Sequence, residues 1–428
     1  MHYAALADAL PTPFWVYDAA LVRERVAELV EAFAQQHVRL YYAVKANDHP
    51  AIIALASAGG IGACLVSRGE FERARAGGVA PNMMLMNGVG KSRAEIAFAL
   101  TAGIGQLNAE SLAELEMIAS VAEELGIRAC VCVRINPEIT ANTHNHTTVA
   151  RRTDKFGLLI EDLPVVRAIV AAHAALDWRG FSCHIGSQIH GVSELSASYR
   201  VMADLFRAER KTQPQFDRLD LGGGFGVSYS GDHYARPADY AALISDVTGD
   251  LQREGVTIQV EPGRFVVAEA GALITSVLRV KDSGGPPTTD GVPSDGTRFI
   301  IVDAAMNNLI RPTLYDAYHP ITLARESTAH YVPCTVAGPV CESADVFARG
   351  RDLPEDIEAG DILIIGFAGA YGAAMSSMYN ARDRLAEIMV DGDSAVLIRR
   401  AMSASEFDQM TLTNEDVVTK KARTRKRT

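Results

Sequence analysis

Three side chains with reactive chemistry stand at the ends of short apolar segments. Lys45 lies in YYAVKAN, His184 in CHIGSQI and Glu261 in EPGR. A lysine amine forms a Schiff base with an aldehyde once partial desolvation lowers its pKa and frees the amine. A carboxylate at such a position is costly unless it has a partner, and a pyridinium nitrogen would be a fitting one. Taken alone, Lys45 would normally be a solvated residue at a strand end. Taken alone, His184 would more often be a hydrogen-bonded histidine of the core.

A glycine run adds a place for an anion. Gly223 and Gly224 lie in LDLGGGFG (219–226), where glycines let backbone N–H groups converge without Cβ interference. A dinucleotide-binding fingerprint would need GxGxxG opening a helix, but VSY (227–229) follows instead. The run therefore favours phosphate, and Ser187, in a polar turn, could bind a phosphate oxygen.

The elements that position these residues follow a regular alternation. Amphipathic segments such as 110–126 separate short apolar runs that read as buried strands, and another amphipathic segment (19–35) precedes the first. The eight runs are 40–44, 62–66, 83–86, 104–108, 128–135, 180–185, 218–222 and 257–261. Eight such units favour an α/β fold of the (β/α)8 TIM-barrel type over a doubly wound open sheet.

The chemistry and the barrel point to one cofactor. Active sites of such barrels lie at the carboxyl ends of the strands, where all these residues fall. A Schiff-base amine, a partner for a ring face, a phosphate cradle and a carboxylate for a ring nitrogen are together what pyridoxal phosphate requires.

After Gly263 the pattern changes to strands without helices between them. The runs are 272–280, 298–304, 362–370, 386–392 and 395–400. We predict a barrel over 24–265 and a mainly antiparallel β domain, a sandwich or barrel, formed by 1–23 with 266–419; TPFWVYD (12–18) would add a strand to it. The segment 282–296 is predicted to be a long surface loop, and the basic tail 420–428 to be disordered.

Composition limits the class of protein. The 428 residues carry 41 basic and 52 acidic side chains, hence a net charge of −11, which argues against nucleic acid or an anionic membrane as the main partner. No apolar run approaches the roughly 18 residues of a membrane span, and no signal peptide is recognisable. Six cysteines form neither a disulfide framework nor a zinc pattern, and His144 with His146 lacks a third ligand, so we expect no metal and a cytoplasmic location.

The chain resembles the fold-type III pyridoxal-phosphate decarboxylases, whose barrel is alanine racemase-like, and among them the diaminopimelate decarboxylases. The resemblance runs from Thr12 to Arg400. Its motifs are YYAVKAN, KFG (155–157), CHIGSQI, LGGGFG, EPGR, 302–320, GPVCESADVF (338–347) and AGAYGAAMSSMYNAR (368–382).

The resemblance implies a role for each motif residue. Lys45 would form the Schiff base, His184 would stack on the cofactor ring and Glu261 would pair with the ring nitrogen. Ser187, Gly223 and Gly224 would hold the phosphate, helped by the EPGR backbone at Gly263 and Arg264 and by Tyr371. Relatives on this fold with arginine in place of the glutamate are racemases, so Glu261 favours decarboxylation.

The resemblance also implies a homodimer with active sites at the subunit interface. Cys341 of the partner subunit would protonate the substrate carbon, and Glu342 beside it would bind the distal ammonium. Arg264, Arg311 and Tyr315 would bind the distal carboxylate, with Tyr371 also near the substrate. For Cys341 the structural alternative is a buried cysteine, and for Arg311 it is a surface position.

The implied reaction converts meso-2,6-diaminopimelate to L-lysine and CO2. The chain departs from the family pattern at Cys64, Asn87, Met378 and Ala401. The alternative is therefore a paralogous decarboxylase of another amino acid, or of a conjugate in siderophore or antibiotic synthesis. A non-catalytic carrier of the cofactor is disfavoured, because single-domain carriers on this barrel lack the β domain and the CES motif.

Overall fold

The structure is a computed structural model that describes residues 3–138, 154–283 and 297–409. The tail 420–428, most of the predicted loop 282–296 and the His144–His146 pair lie outside the described residues. The first elements are helix α1 (Tyr3–Ala9), strand β1 (Phe14–Asp18) and helix α2 (Ala19–Phe33).

Eight parallel strands close into a barrel, which confirms the predicted fold. They pair in chain order, and the first pairs with the last, so the open-sheet alternative is excluded. The strands are β2 (Val38–Ala43), β3 (Gly62–Leu65), β4 (Met84–Met86), β5 (Gln106–Ala109), β6 (Ala129–Arg134), β7 (Leu176–Ser182), β8 (Arg218–Asp220) and β9 (Thr257–Val260). Each predicted apolar run overlaps one strand, although β7 begins at Leu176 rather than at Gly180.

Helices surround the barrel. They are α3 (Pro50–Ala58), α4 (Arg68–Ala76), α5 (Arg93–Thr101), α6 (Leu112–Leu125), α7 (Leu163–Ala172), α8 (Val192–Arg210) and α9 (Pro237–Arg253). Helix α2 completes the ring by packing against α3 and α9. Its N-cap residue is Asp18, whose carboxylate accepts hydrogen bonds from the backbone N–H groups of Ala20 and Leu21. Its buried side chains recur at helical spacing: Val22, Val26, Leu29 and Phe33.

The second sheet is mainly antiparallel, as predicted. The remaining elements are α10 (Arg264–Val267), β10 (Gly271–Ser283), β11 (Thr297–Val302), α11 (Arg311–Tyr315), β12 (Ile321–Leu323), β13 (Tyr331–Ala337), β14 (Val346–Pro354), β15 (Ile362–Ile365), β16 (Glu387–Asp391), β17 (Ser394–Arg399) and α12 (Ala404–Asp408). The order is β14–β13–β11–β10–β1–β16–β17, and β15 pairs with both β10 and β12. Strand β1 pairs with β10 and β16, which confirms the predicted N-terminal strand. The domain limits at 24–265 and 266–419 stay a prediction.

A loop of the second sheet docks on the mouth of the barrel. After β15, the backbone N–H of Tyr371 donates to the carbonyl of Ala46 at 2.7 Å, and Asn47 Nδ2 donates to the carbonyl of Gly369 at 3.2 Å. Tyr371 has a φ of 57°, a left-handed conformation that is rare for a side chain of this size. The active-site mouth is therefore built from both parts of the chain.

Candidate active site

The carboxyl ends of the barrel strands surround a cleft. Most of the predicted cofactor residues line it: Lys45, His184, Ser187, Gly224, Glu261, Gly263, Arg264 and Tyr371. Lys45 follows β2 in a short 3₁₀ turn (44–46), and Glu261 directly follows β9. The closed barrel thus brings together residues far apart in the chain, as the strand-end argument predicts.

Lys45 projects into the cleft, where its side chain remains accessible. Desolvation acts to lower the pKa of Lys45, but Coulombic interactions with Tyr371, Cys64 and Glu261 outweigh it and leave the pKa above its ordinary value. Partial desolvation thus acts in the predicted direction, but acidic groups around the amine favour its charged form.

Glu261 is a buried carboxylate with a neutral hydrogen-bond partner. It is 8% exposed, and its Oε1 accepts a hydrogen bond from Asn87 Nδ2 at 2.7 Å. Within the described ranges, no Lys, Arg or His nitrogen lies within 4 Å of this carboxylate. Burying a carboxylate without a cation is unfavourable, so Glu261 fits a partner such as the protonated ring nitrogen of pyridoxal phosphate.

Asp220, which sequence reasoning assigned no role, lies behind Glu261. It is fully buried, and it accepts hydrogen bonds from Gly222 N at 2.9 Å and from Asn108 Nδ2 at 3.2 Å. Burial and repulsion by Glu261 raise the pKa of Asp220 well above its ordinary value. A raised pKa favours the protonated form of Asp220, which can donate a hydrogen bond to Glu261. A charged residue inside the apolar run LDLG was the available signal.

The glycine run is required first by packing. A Cβ on Gly223 would lie 2.2 Å from the carbonyl oxygen of Glu261, and a Cβ on Gly224 would lie 2.7 Å from that of Gly186. Gly224 also has a φ of 101°, which favours glycine. The N–H of Gly223 donates to Nδ1 of His184 at 3.3 Å, so it already has a partner.

His184 is held as a neutral imidazole. Burial, Lys45 and Arg134 lower its pKa well below the ordinary value. Because Nδ1 accepts the hydrogen bond from Gly223, the ring proton resides on Nε2. A neutral, oriented ring at the cleft suits stacking against a flat aromatic ligand.

Two buried guanidinium groups lie beside the cofactor residues. Arg264 and Arg311 are 7% and 6% exposed, so the surface alternative for Arg311 is excluded. Both donate to the hydroxyl oxygen of Tyr229, and Arg264 also donates to Ser187 Oγ at 3.0 Å. Arg264 Nε has no hydrogen-bond partner. Since no carboxylate of the described chain lies within 4 Å of either group, the pair is suited to bind an anion.

Tyr315 lies at the end of α11, which begins at Arg311. Desolvation acts to lower the pKa of Arg264, but Coulombic interactions with Tyr229, Tyr371 and Tyr315 more than offset it, so this guanidinium remains charged. Tyr315 is thus close enough to interact electrostatically with Arg264.

Cys341 and Glu342 do not line the cleft of their own chain. Both are exposed in the loop between β13 and β14, so the buried alternative for Cys341 is wrong. The loop is anchored: Tyr379 Oη donates to Glu342 Oε1 at 2.9 Å, and Cys341 N donates to Asn380 Oδ1 at 3.4 Å. The surface of one chain therefore presents the two predicted residues in a fixed loop.

Two departures from the family pattern meet at the cofactor side of the cleft. Cys64 is buried, and Asn87 Nδ2 lies 3.2 Å from its sulfur as well as 2.7 Å from Glu261. Met378 is partly exposed, Ala401 is exposed, and neither lines the cleft. Only the Cys64–Asn87 pair thus touches the catalytic region.

Further features concern metals and membranes. The parts of the chain that the structure describes hold no group of three His, Cys, Asp or Glu side chains arranged for a metal ion. Within those same ranges, no helix has the length and apolar character needed to cross a bilayer.

Comparison with known proteins agrees with this geometry. Residues 19–268 match the family model "Pyridoxal-dependent decarboxylase, pyridoxal binding domain". The fold and the match together define the class: the chain belongs to the pyridoxal-dependent decarboxylases, and its cofactor is pyridoxal phosphate.

Curated and solved relatives narrow the class. Diaminopimelate decarboxylase of Zymomonas mobilis is 38% identical over 401 residues, covering 92% of this chain and 91% of that protein. The crystal structure of diaminopimelate decarboxylase from Helicobacter pylori complexed with L-lysine has a TM-score of 0.88 at 36% identity, covering 95% of this chain and 98% of that one. Within the class, the chain belongs to the diaminopimelate decarboxylase family.

Proposed function

We propose that this protein decarboxylates meso-2,6-diaminopimelate to L-lysine and CO2, the last step of lysine biosynthesis. The observation that carries the proposal is the Arg264–Arg311 pair, two buried cations with no carboxylate within 4 Å in the described chain. Arg264 lines the cleft with Lys45 and Glu261, and Arg311 is joined to Arg264 through Tyr229. A substrate with a second carboxylate supplies the missing anion. The lysine-bound Helicobacter pylori structure supports a ligand of this length and class.

When bound, pyridoxal phosphate supplies an aldehyde for an amine and a ring that accepts the electrons left when CO2 departs. Lys45 would bind the aldehyde carbon of the cofactor. Glu261 would stabilise the protonated ring nitrogen, and Asp220 and Asn87 hold Glu261 through hydrogen bonds. His184 would pack against the ring.

The phosphate group has a separate set of candidate partners. We assign them to Ser187, Gly223, Gly224, Gly263, Arg264 and Tyr371, which all follow or face barrel strand ends.

The substrate's remote end would meet the second part of the chain. We assign the distal carboxylate to Arg264, Arg311 and Tyr315, with Tyr371 near the bound substrate. Two charged bidentate donors favour a carboxylate over a neutral group. This arrangement selects a dicarboxylate over lysine or ornithine.

Cys341 and Glu342 act, on this proposal, in the cleft of a second subunit. Their exposure and their absence from their own cleft support a homodimer with shared active sites. Cys341 of the partner subunit would protonate the substrate carbon, and Glu342 of the partner subunit would bind the distal ammonium. A cytoplasmic location fits the six free cysteines.

The test is CO2 release from the cofactor-loaded protein with meso-diaminopimelate, L-lysine, L-ornithine, L-arginine and L-glutamate in parallel. We expect rapid release from meso-diaminopimelate alone. Release from a monocarboxylate at an equal rate would contradict the assignment of the arginine pair. No release from meso-diaminopimelate would contradict the substrate.

A further inference from the structure

Tyr229 joins the two buried arginines of the cleft. Its hydroxyl oxygen accepts a hydrogen bond from Arg264 Nη1 at 2.8 Å and another from Arg311 Nη1 at 3.2 Å. Both lone pairs of the phenol oxygen are thereby used. Among the residues that the structure describes, this oxygen is the one acceptor the two guanidinium groups share.

Each arginine also has a second hydrogen-bond partner. Arg264 Nη2 donates to Ser187 Oγ at 3.0 Å, and Arg311 Nη1 donates to His319 Nε2 at 3.0 Å. His319 is fixed in turn, because its Nδ1 donates to the carbonyl of Gly366 at 3.0 Å. Burial and Arg311 lower the pKa of His319 to about 3, so its Nε2 remains an acceptor.

The ring of Tyr229 adds a second constraint. The guanidinium carbon of Arg311 lies 5.0 Å from the centroid of the Tyr229 ring. The ring centroid of His319 lies 5.5 Å away, in an edge-to-face arrangement, and the ring centroid of Phe367 lies 5.8 Å away. The hydroxyl is therefore held in place by packing. Without it, two like charges would face each other with no common acceptor between them.

We propose that Tyr229 is a positioning residue that holds Arg264 and Arg311 together as one recognition element for the carboxylate at the substrate end remote from the reacting carbon. This inference rests on the proposed function, since it concerns the same substrate. The phenol hydrogen is not used in these two hydrogen bonds, so the hydroxyl can donate a hydrogen bond to the bound carboxylate as a third donor. Burial would raise the pKa of the phenol, but the two guanidinium groups reverse this and lower it, which supports their close electrostatic contact with it.

Tyr229→Phe tests the proposal because it removes the hydroxyl and keeps the packed ring. Loss of hydrogen bonds to charged groups predicts a KM for meso-diaminopimelate raised about tenfold or more, while kcat changes less than about threefold. The affinity for pyridoxal phosphate is expected to stay within about twofold of wild type. The unfolding temperature verifies that the variant is folded.

Tyr234→Phe is the matched control. Tyr234 also accepts a hydrogen bond from an arginine, Arg236, whose guanidinium lies over its ring, but within the described residues it bonds neither Arg264 nor Arg311. Its KM and kcat are expected to equal those of wild type. A second measurement pairs Tyr229→Phe with Arg311→Met: if Tyr229 acts through Arg311, adding Tyr229→Phe to Arg311→Met raises KM less than about twofold further.

The outcomes separate the two proposals. Wild-type protein that releases no CO2 from meso-diaminopimelate overturns the proposed function and this inference with it. Active wild type with an unchanged KM in Tyr229→Phe overturns the role of Tyr229 alone. Full additivity of Tyr229→Phe with Arg311→Met also overturns it, since the two residues would then act independently.

Discussion

Lys45 provides an amine and Glu261 a carboxylate in the cleft. Neighbouring side chains affect the charge of the amine and the position of the carboxylate. Acidic groups favour the charged form of the Lys45 amine, while Asn87 donates a hydrogen bond to Glu261 and Asn108 donates one to Asn87. Lys45, His184 and Glu261 could be predicted because each ends an apolar segment with a distinctive motif. The roles of Asp220 and Tyr229 could not, because they depend on side-chain contacts between segments distant in the chain.

Lys45→Ala removes the amine proposed to bind the cofactor. We expect CO2 release to fall at least about a thousandfold and the absorbance of the protein-bound cofactor to shift or disappear. Lys211→Ala, at an exposed helix end, is the control and should match wild type. Comparable activity of Lys45→Ala would place the reactive amine elsewhere.

Asp220→Asn tests whether Asp220 is protonated. When folding raises the pKa of an aspartate, the unfolded chain loses that proton at a lower pH than the folded chain does. The folded state therefore loses stability as the pH rises above the pKa of the aspartate in the unfolded chain. Asparagine cannot ionise, so the unfolding temperature of the variant relative to wild type should rise as pH goes from about 5 to 8. A difference that stays constant over this range would show that Asp220 is ionised in the folded protein.

At the scale of elements, the barrel was predictable and parts of the second sheet were not. Barrel strands are buried on both faces and so appear as continuous apolar runs. Strands β12, β13 and β14 were missed because none of them is a continuous buried run: β12 has three residues, β13 contains Pro333 and β14 contains Gly350. Their pairing is set by neighbours, which a local pattern does not show.

Gly180→Ala tests how closely barrel strands approach each other. Gly180 of β7 pairs with Arg218 of β8, and a Cβ would lie 1.8 Å from the carbonyl oxygen of Arg218. To make room for the methyl group, the two strands would have to move apart. We expect this to lower the free energy of unfolding by about 2 kcal/mol or more, measured by chemical denaturation. Gly90→Ala, where a Cβ meets no atom within 4 Å, is the control. Equal stability of the two variants would contradict the close approach.

At the scale of the whole molecule, the proposed active site needs residues from two chains. One chain holds the cofactor residues in its cleft and presents Cys341 and Glu342 elsewhere on its surface. The sequence motifs predict both sets of residues, but only the folded chain shows that they lie apart.

Mixing two inactive variants tests shared active sites. Lys45→Ala and Cys341→Ala dimers, dissociated and reassociated together, should recover about one quarter of wild-type activity, because mixed dimers hold one intact site. Each variant treated alone is the control and should stay inactive or slow. No recovery, with exchange verified by native mass spectrometry, would place both residues in one chain's site.

The central claim is tested most directly by the products formed from meso-diaminopimelate. The cofactor-loaded protein is incubated with this substrate, and CO2 and L-lysine are quantified together. We predict that they appear in equal amounts and at equal rates. CO2 without L-lysine, or consumption of substrate with neither product, would contradict the account.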